Sequence, residues 1–551
     1  MTRPAEIIKF HATLKGRRYN FDNTAQEIID HIDPHHHDVT TERSPGERKN
    51  ERQFDGTALY ASQIFADFYQ GSVFNQGTKW FSIRHRDNTI NEKPENATWL
   101  NDTRDIVLQH MRNFYGPGGQ AINSWALFGN GPVLIEEVPA RKEYQSRLKY
   151  TSIPWGQYVM CEGEDGKIDQ FIRELKLPAN QLVKMFGEKC SEDVRKASEK
   201  DPLKEFCILH SILPRDFQAY SKSAIKTSKE YDWASCWVEV EKKNLLKESG
   251  YRKFPVAVAR YKQISGEVYA RGLGEVALSD AKTSNKMREL ELLWGGRQLD
   301  PPQLIRRGSI INGILNMQAK GKTFVTDINN AVKPLIERSD LPSFEHLHEA
   351  VQRQVMRVFH VDEILNLLSH ESPQLTAFEV NARLTLLQQI LGPIFGQNDV
   401  DFFAVTIDVT LDNLAHMNLL EQAPDDIAMS GDEDALNFVY EGPLARAQRN
   451  QELVNIQQSI ADVTGIQPFY PEVVKLVDWE KLTRRAWEIR GTNDLLVSEA
   501  DYLKAVNELI AQANAEKAAQ LIGGGAQALG QVAPFIKATR EGATPGGQLA
   551  A

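Results

Sequence analysis

Two long amphipathic stretches flank a basic, proline-containing segment, and that order constrains the chain more than any other feature. The first stretch, "LSDAKTSNKMRELELLW" (278–294), reads as a helix of roughly 25 Å. Ser279 and Asp280 stand where an N-cap belongs, and Leu278, Ala281, Met287, Leu290 and Leu293 form a rough stripe. Gly295-Gly296 is the expected stop. The second stretch, 343–365, places Phe344, Leu347, Val351, Val355 and Val358 at steps of 3, 4, 4 and 3 residues, a coiled-coil-like seam. Its other face carries Glu345, His346, Glu349, Arg353 and Arg357. Between the two, 297–341 is locally basic within an acidic chain, with Pro301-Pro302 and short apolar runs.

Further helices follow. Thr376 and Glu379 make a capping box for a third long helix, which is expected to kink at Gly392-Pro393. The spacing then predicts helices over 401–421, 443–463, 477–490 and 498–522, and a disordered end, "TPGGQLAA".

Before residue 275 the pattern is mixed. Residues 1–56 are polar and rich in His, Arg and Glu, with no element assigned. "DGTALYASQIFADFYQGSVF" (55–74) predicts a helix with Ala58, Ala61, Ile64, Phe65 and Phe68 on one face. "TKWFSIRH" reads as a strand, and 100–114 as a helix stopped by "GPGGQ". "ALFGNGPVLIEEVP" reads as a strand broken by Gly129, Gly131 and Pro132. Short strands alternate around the turn "GEDGK", and "LPANQLVKMFGEK" is a short helix ending at Gly187. "CILHSILPR", "DWASCWVEVEKK" and "FPVAVARYKQI" read as antiparallel strands with one face wet.

Charge and cysteine content narrow the function. A net charge of -10 excludes a chain that binds nucleic acid over its whole surface. The N-terminus has no apolar h-region and no run is long enough for a membrane span, which predicts a chain neither secreted nor inserted. Cys161, Cys190, Cys207 and Cys236 form no C-x-x-C and read as reduced thiols. "DPHHHD" (33–38) offers adjacent histidines that cannot all face one ion, so it reads as an exposed loop and no metal or cofactor is expected. There is no phosphate loop, G-x-S-x-G elbow or H-E-x-x-H, and no enzyme activity is expected.

One motif argues otherwise. Gly272-Leu273-Gly274-Glu275-Val276-Ala277 is a G-x-G-x-x-A, the signature of a dinucleotide-binding oxidoreductase. Only Val268 and Tyr269 precede it as apolar strand, the helix after it is heavily polar, and no second βα unit follows. The alternative reading is that the glycines permit a turn from a sheet into a long helix.

The order of parts resembles the portal, or head-to-tail connector, family of short-tailed T7-like bacteriophages. "RQFDGTALYASQIFADFYQGSVFNQGTKWF", "LFGNGPVLIEE", "IPWGQYVMCEGEDGKIDQFIRELKLPANQLVKMFG" and "VARYKQISGEVYARGLGEVALSDAKTSNKM" carry the resemblance, in family order over some 400 residues. The sequence departs where "SVFNQGTKWF" replaces a Leu-Thr-Pro-Pro lead and where Ala270 replaces a glycine.

The resemblance implies an α+β portal-type fold that forms a ring of about twelve copies at one capsid vertex of the virion, assembled in the host cytoplasm. It implies an N-terminal segment and α+β wing over 1–270, a first stem helix over 271–296, a small α/β clip over 297–341 and a second stem helix over 342–365. A tunnel loop (366–377), a long helix and wing return (378–440), a helical crown (441–525) and a flexible tail (526–551) would complete it. The channel would pass double-stranded DNA during packaging and ejection. Implied partners are the large terminase, tail adaptor or nozzle proteins, scaffold and the major capsid protein, with no membrane and no cofactor. Candidate channel residues are Arg353 and Arg357, whose alternative is pairing with Glu345 or Glu349 between subunits, and His370, Glu371, Ser372 and Gln374 of the tunnel loop. Arg306, Arg307, Lys320 and Lys322 are candidates for terminase or adaptor docking, or for contacts between clips. Arg271, Gly272 and Gly274 would form the turn into the first stem helix. Rival readings are an oxidoreductase using Gly272 and Gly274, and a helical capsid scaffold protein with no channel.

Overall fold

The computed structural model describes residues 4–44, 46–51, 53–91, 93–138, 147–215, 230–299, 303–305, 332–334, 342–368, 392, 396–428, 436–440, 443–490, 502, 504–509 and 511. They group into two compact units. One is Met1–Thr78 with Asp105–Leu420, and the other is Lys79–Arg104 with Glu421–Ala551.

In the larger unit the chain opens with α1 (Pro4–His31), a 28-residue helix where the sequence suggested no element. Its buried stripe runs through Ile7, His11, Leu14, Arg18, Asp22, Gln26 and Ile29. The helical period is present, but polar residues fill much of it, which hides it from a reading of apolar periodicity. Helix α2 (Thr57–Val73) follows as expected, buried at Ala58, Ala61 and Phe65.

The second expected helix divides differently. Strand β1 (Phe81–His85) precedes α3 (Asn88–Asn91) and α4 (Pro94–His110), and α5 spans Tyr115–Phe128. The glycines of "GPGGQ" therefore lie inside α5 rather than ending a helix. They are used there for packing: a Cβ on Gly118 would lie 3.0–3.2 Å from the rings of Phe114 and Phe74. The stop is Gly129 instead, at φ 85°, a left-handed position that suits glycine.

Strand β2 (Asn130–Glu137) pairs antiparallel with both β3 (Leu148–Ser152) and β9 (Val256–Arg260). A second sheet runs β4 (Tyr158–Glu162), β5 (Ile168–Pro178), β6 (Glu205–Pro214), β7 (Trp233–Glu239) and β8 (Asn244–Tyr251), antiparallel throughout. Helices α6 (Ala179–Phe186) and α7 (Glu192–Lys200) interrupt it between β5 and β6.

The expectation of a wet face fails for this sheet. Ile7 and Leu14 of α1 pack on Val159, Ile172, Leu209, Leu213, Ala234 and Val238. On the opposite side Ala179, Leu182 and Val194 of α6 and α7 pack on Phe206, Ile208 and Leu246. Successive strand residues point to opposite faces, so Ile208 and Leu209 serve different layers.

Helix α8 (Leu273–Leu299) then runs for 27 residues. It begins six residues before the proposed cap at Ser279 and continues through Gly295-Gly296, so neither expected boundary holds. Strands β10 (Gln303–Ile305) and β11 (Val332–Pro334) pair antiparallel. Helix α9 (Pro342–Val358) stops where one helix to 365 was expected, because His360 takes φ 56° and α10 (Val361–Leu368) starts anew. The break buries Phe359, Val361 and Ile364 completely or nearly so. A π-helical turn, Asp399–Phe403, leads into α11 (Ala404–His416).

In the smaller unit β1 pairs antiparallel with β12 (Leu436–Tyr440), and Trp80 stacks on Tyr440 at 6.4 Å. A short turn of helix, α12 (Asp425–Ala428), precedes β12, and α13 (Pro443–Ile466) and α14 (Trp479–Arg490) follow it, near the expected ranges. The proposed cap at Thr376, the Pro393 of the proposed kink, most of 498–522 and the C-terminal tail lie outside the described residues.

His210 of β6 is 1% exposed, stacks 4.1 Å from the Trp237 ring and bonds Ser235 Oγ at 2.9 Å. Burial pushes its pKa down to about 3 from the ordinary 6.5, and Arg173 and Lys247 add to the effect. The unfolded imidazole takes up a proton between those values that the folded one refuses. The contribution to stability is therefore present above pH 6.5 and is lost as pH falls toward 3. The urea midpoint should drop between pH 6.5 and 4, and His210→Gln should flatten that slope.

Candidate functional site

The turn into α8 answers the question raised by the two glycines. Ala270 and Arg271 cross the end of α5, and the backbones touch. A Cβ on Gly272 would lie 2.5 Å from both Leu127 O and Gly129 N, and one on Gly274 would lie 2.5 Å from Leu127 O. Real Cβ atoms do not approach backbone so closely, so both positions require glycine. Asn130 bridges the same gap, donating from Nδ2 to Ala270 O at 3.0 Å and accepting from Ala270 N at 3.2 Å. A dinucleotide's pyrophosphate would need the N-terminus of α8 open. The Leu127–Gly129 backbone occupies that ground, so the close approach, rather than a phosphate, is what the glycines serve.

Arg271 completes the turn. Its guanidinium pairs with Glu267 at 3.0 Å and with Glu275, and lies 5.5 Å over the Phe21 ring of α1. The two carboxylates hold its pKa above the usual arginine value.

From this seat α8 extends along α9. Arg353 and Arg357 are exposed, one turn apart, on a face of α9 turned away from α8. Arg353 Nε donates to Glu349 O at 3.3 Å, and Arg357 Nε lies 3.9 Å from Asp362. The Glu349 carboxylate instead faces His346 at 3.7 Å. His370, Glu371, Ser372 and Gln374, and Arg306, Arg307, Lys320 and Lys322, lie outside the described residues.

A buried Ser–His–Glu arrangement escaped the sequence reading. His348 Nε2 lies 3.0 Å from Ser284 Oγ, and His348 Nδ1 lies 2.8 Å from Glu291 Oε1. The connectivity is that of a nucleophile, a base and its orienting carboxylate. Ser284 is 2% exposed, however, and donates its hydroxyl hydrogen to Asp55 Oδ2, away from His348. The arrangement therefore lacks both access and an activated hydroxyl. No sequence signal marked it, because Ser284 and His348 are far apart in the chain and each sits on an otherwise ordinary helix.

Other candidates resolve as structure. Asp33 is buried and accepts from His35 N at 3.0 Å, while His36 packs edge-on against Phe128 at 5.0 Å. The "DPHHHD" loop is thus exposed at His35 and His37 but tethered at Asp33 and His36. Among the described residues no group of three His, Cys, Asp or Glu could hold a metal ion, and no helix is long and apolar enough to cross a membrane. The four cysteines are free thiols, and burial pushes Cys207 up to about 12 and Cys236 up to about 11, unsuited to nucleophilic work. A cavity of about 370 Å³ lined by Gln63, Asp67, Gln70, Tyr115, Gln120 and Asn123 is polar and offers one carboxylate without a base beside it.

The glycines of α8 make opposite demands. Gly274→Ala should cost about 1–3 kcal/mol by overpacking. Gly295→Ala, where nothing lies within 4 Å, should gain about 0.5–1 kcal/mol from helix propensity. Urea denaturation of the two variants checks both signs.

Comparison with known proteins gives the following. Residues 5–497 match the family described as bacteriophage head to tail connecting protein. The chain is 22% identical over 520 residues to a probable portal protein of Bordetella phage BPP-1, covering 92% of this chain and 90% of that one. It is 21% identical over 551 residues to a portal protein of Salmonella phage epsilon15, covering 97% and 94%. A chain from the virion of a native gene transfer agent particle matches over 73% of this chain and 86% of its own, at 12% identity and a TM-score of 0.32. A chain from the neck of an empty particle of that kind matches over the same shares at 11% identity and a TM-score of 0.36.

Proposed function

This chain belongs to the bacteriophage head-to-tail connecting protein family, and from that premise we propose that it is a portal: the ring at one capsid vertex through which double-stranded DNA enters and leaves. The observation that carries the reading is the extent of the family match, residues 5–497, which spans both sheets, α8, α9 and the helices after them. In this reading 1–270 is the N-terminal segment and wing, α8 and α9 are the stem helices and 297–341 is the clip. Residues 366–377 are the tunnel loop, 378–440 the return to the wing and 441–525 the crown. The chain is a virion component that assembles in the host cytoplasm. It acts as a conduit and docking platform, for the large terminase and then for tail adaptor or nozzle proteins, and meets scaffold and major capsid protein around its rim. The likeness in the order of its parts favours a short-tailed, T7-like phage.

Two features support a ring. Val276, Leu290 and Leu293 of α8 are 62%, 44% and 52% exposed. On a helical wheel Leu290 and Leu293 fall opposite the buried Ala277, Ala281 and Ser284, with Val276 to one side, so the expected stripe joining Ala281 to Leu290 and Leu293 does not hold. A face of that kind suits contact with the next copy, a head-to-tail interface that closes. The net charge of -10 suits a channel, since each fixed cation that neutralises a phosphate would slow sliding. Arg353 and Arg357 would supply only brief contacts.

Native mass spectrometry with negative-stain images is expected to give rings of about a dozen copies with a hole wide enough for duplex DNA. A compact dimer carrying a coloured cofactor would overturn the reading. Leu290→Asp with Leu293→Asp should release subunits without changing the far-ultraviolet circular dichroism. Arg353→Ala with Arg357→Ala should weaken DNA binding by intact rings several-fold and reduce its salt dependence. Rings that fall apart with DNA binding unchanged would assign these arginines to subunit pairing instead.

A further inference from the structure

Asp55 lies just before α2, and its carboxylate gathers donors from three parts of the chain. It closes a local turn at the start of α2 by accepting from Thr57 N at 3.1 Å and Thr57 Oγ1 at 2.7 Å. It accepts from Ser284 Oγ of α8, and from Gln352 Nε2 of α9 at 3.4 Å to each oxygen. His348 Nε2 of α9 is 3.7 Å away. Burial pushes the Asp55 carboxyl up, but the Ser284, Thr57 and Gln352 donors outweigh it and hold its pKa below the usual carboxylate value.

Asn285, the next residue of α8, works in the other direction. Its Oδ1 accepts from Phe54 N at 3.0 Å and Asp55 N at 2.9 Å, and its Nδ2 donates to His31 O, at the end of α1, at 3.1 Å. Glu291 closes the set, with Oε1 on His348 and Oε2 accepting from Arg288 at 2.9 Å. Ser284, Asn285 and His348 are 2%, 4% and 5% exposed.

Adhesion alone does not explain such a set. Well-packed apolar residues hold two helices together at least as firmly as a buried polar group. Directional bonds give something apolar packing lacks, because they can all be made together at only one axial offset of the two helices. The need is local. Around and beyond Glu291, Leu290, Leu292 and Leu293 of α8 and Leu347 of α9 are exposed, so little apolar packing within the subunit fixes α9 along α8 there.

We propose that Asp55, Ser284, Asn285, Glu291, His348 and Gln352 form a register lock that fixes the axial position of α9 on α8 and ties both to the segment entering α2. The lock stands on contacts within one chain and does not depend on the channel reading.

Hydrogen exchange of the full-length protein in its native assembly tests it. Ser284→Ala removes the central bond and keeps the Asp55–Thr57 turn, and Asp55→Asn removes the charge. Each should speed exchange at the α9 amides by about tenfold or more while leaving β4–β8 unchanged. The double variant should be little worse than the worse single one, because both act through the same bond. His348→Leu is the discriminating variant. A lock predicts that thermal stability is kept while α9 splits into two exchanging populations. Simple adhesion predicts one population. A single population in His348→Leu, unchanged α9 exchange in Ser284→Ala, or acceleration spread equally over β4–β8 would each overturn the proposal.

Discussion

The head of α8 rests backbone on backbone against the end of α5, and much of the larger unit is arranged to permit that contact. No side chain could stand between Gly272, Gly274 and the Leu127–Gly129 carbonyls and amides. Such a seat gives way only if one of the two helices shifts as a whole. Strand β2 starts at Asn130, directly after α5, and runs between β3 and β9. The sheet and α8 therefore take their positions from the same few atoms. A force applied along α8 would reach the sheet through packed backbone rather than through flexible side chains.

Helix α1 reinforces the seat from outside. Arg18, 1% exposed, donates to Trp155 O at 3.0 Å, pairs with Asp22 at 2.8 Å and lies within about 6 Å of the Trp155, Tyr158 and Tyr269 rings. Trp155 Nε1 donates to Asp22 in turn, at 2.9 Å. Tyr269, two residues before Arg271, packs on Phe21, and its hydroxyl accepts from Met160 N at 3.1 Å. The chain from Phe21 through Tyr269 and Trp155 to Arg18 thus binds α1, β4 and the turn into α8 together. A buried cation of this kind contributes little net adhesion but tolerates few alternative arrangements.

What the sequence disclosed follows from how each element is stabilised. Helix α2 and the strands β5, β6, β7 and β9 are built on apolar side chains at regular spacing, and they are legible. Helix α1 is not, since Arg18, Asp22 and Gln26 occupy the stripe that apolar residues would normally mark. The glycines of "GPGGQ" and Gly295-Gly296 misled in the opposite way. Glycine in a helix costs about 1 kcal/mol, which close packing around Gly118 and the length of α8 override. The pair at 272 and 274 was expected to make a turn, but Gly274 lies inside α8, and the surface that requires glycine there, the end of α5, lies far away in sequence. The junction around His348 was invisible for the same reason: its members come from three separate stretches, and the expected seam of α9 ran through Leu347, which is exposed, rather than through His348.

The two faces of α8 then divide the work by chemistry. The face toward α1, α5 and α9 is closed by small residues, Ala277 and Ala281, and by hydrogen bonds from Ser284 and Asn285, which set position closely. The opposite face carries the exposed Leu290 and Leu293, and apolar attraction of that kind is non-directional. Position within the chain is thereby fixed by groups that accept one geometry, while the exposed apolar face would accept a range. The ring proposed above would need both, since it has to close from separately folded chains. In such a ring small angular errors would be absorbed at the apolar face while each α8 stayed in register with its own body.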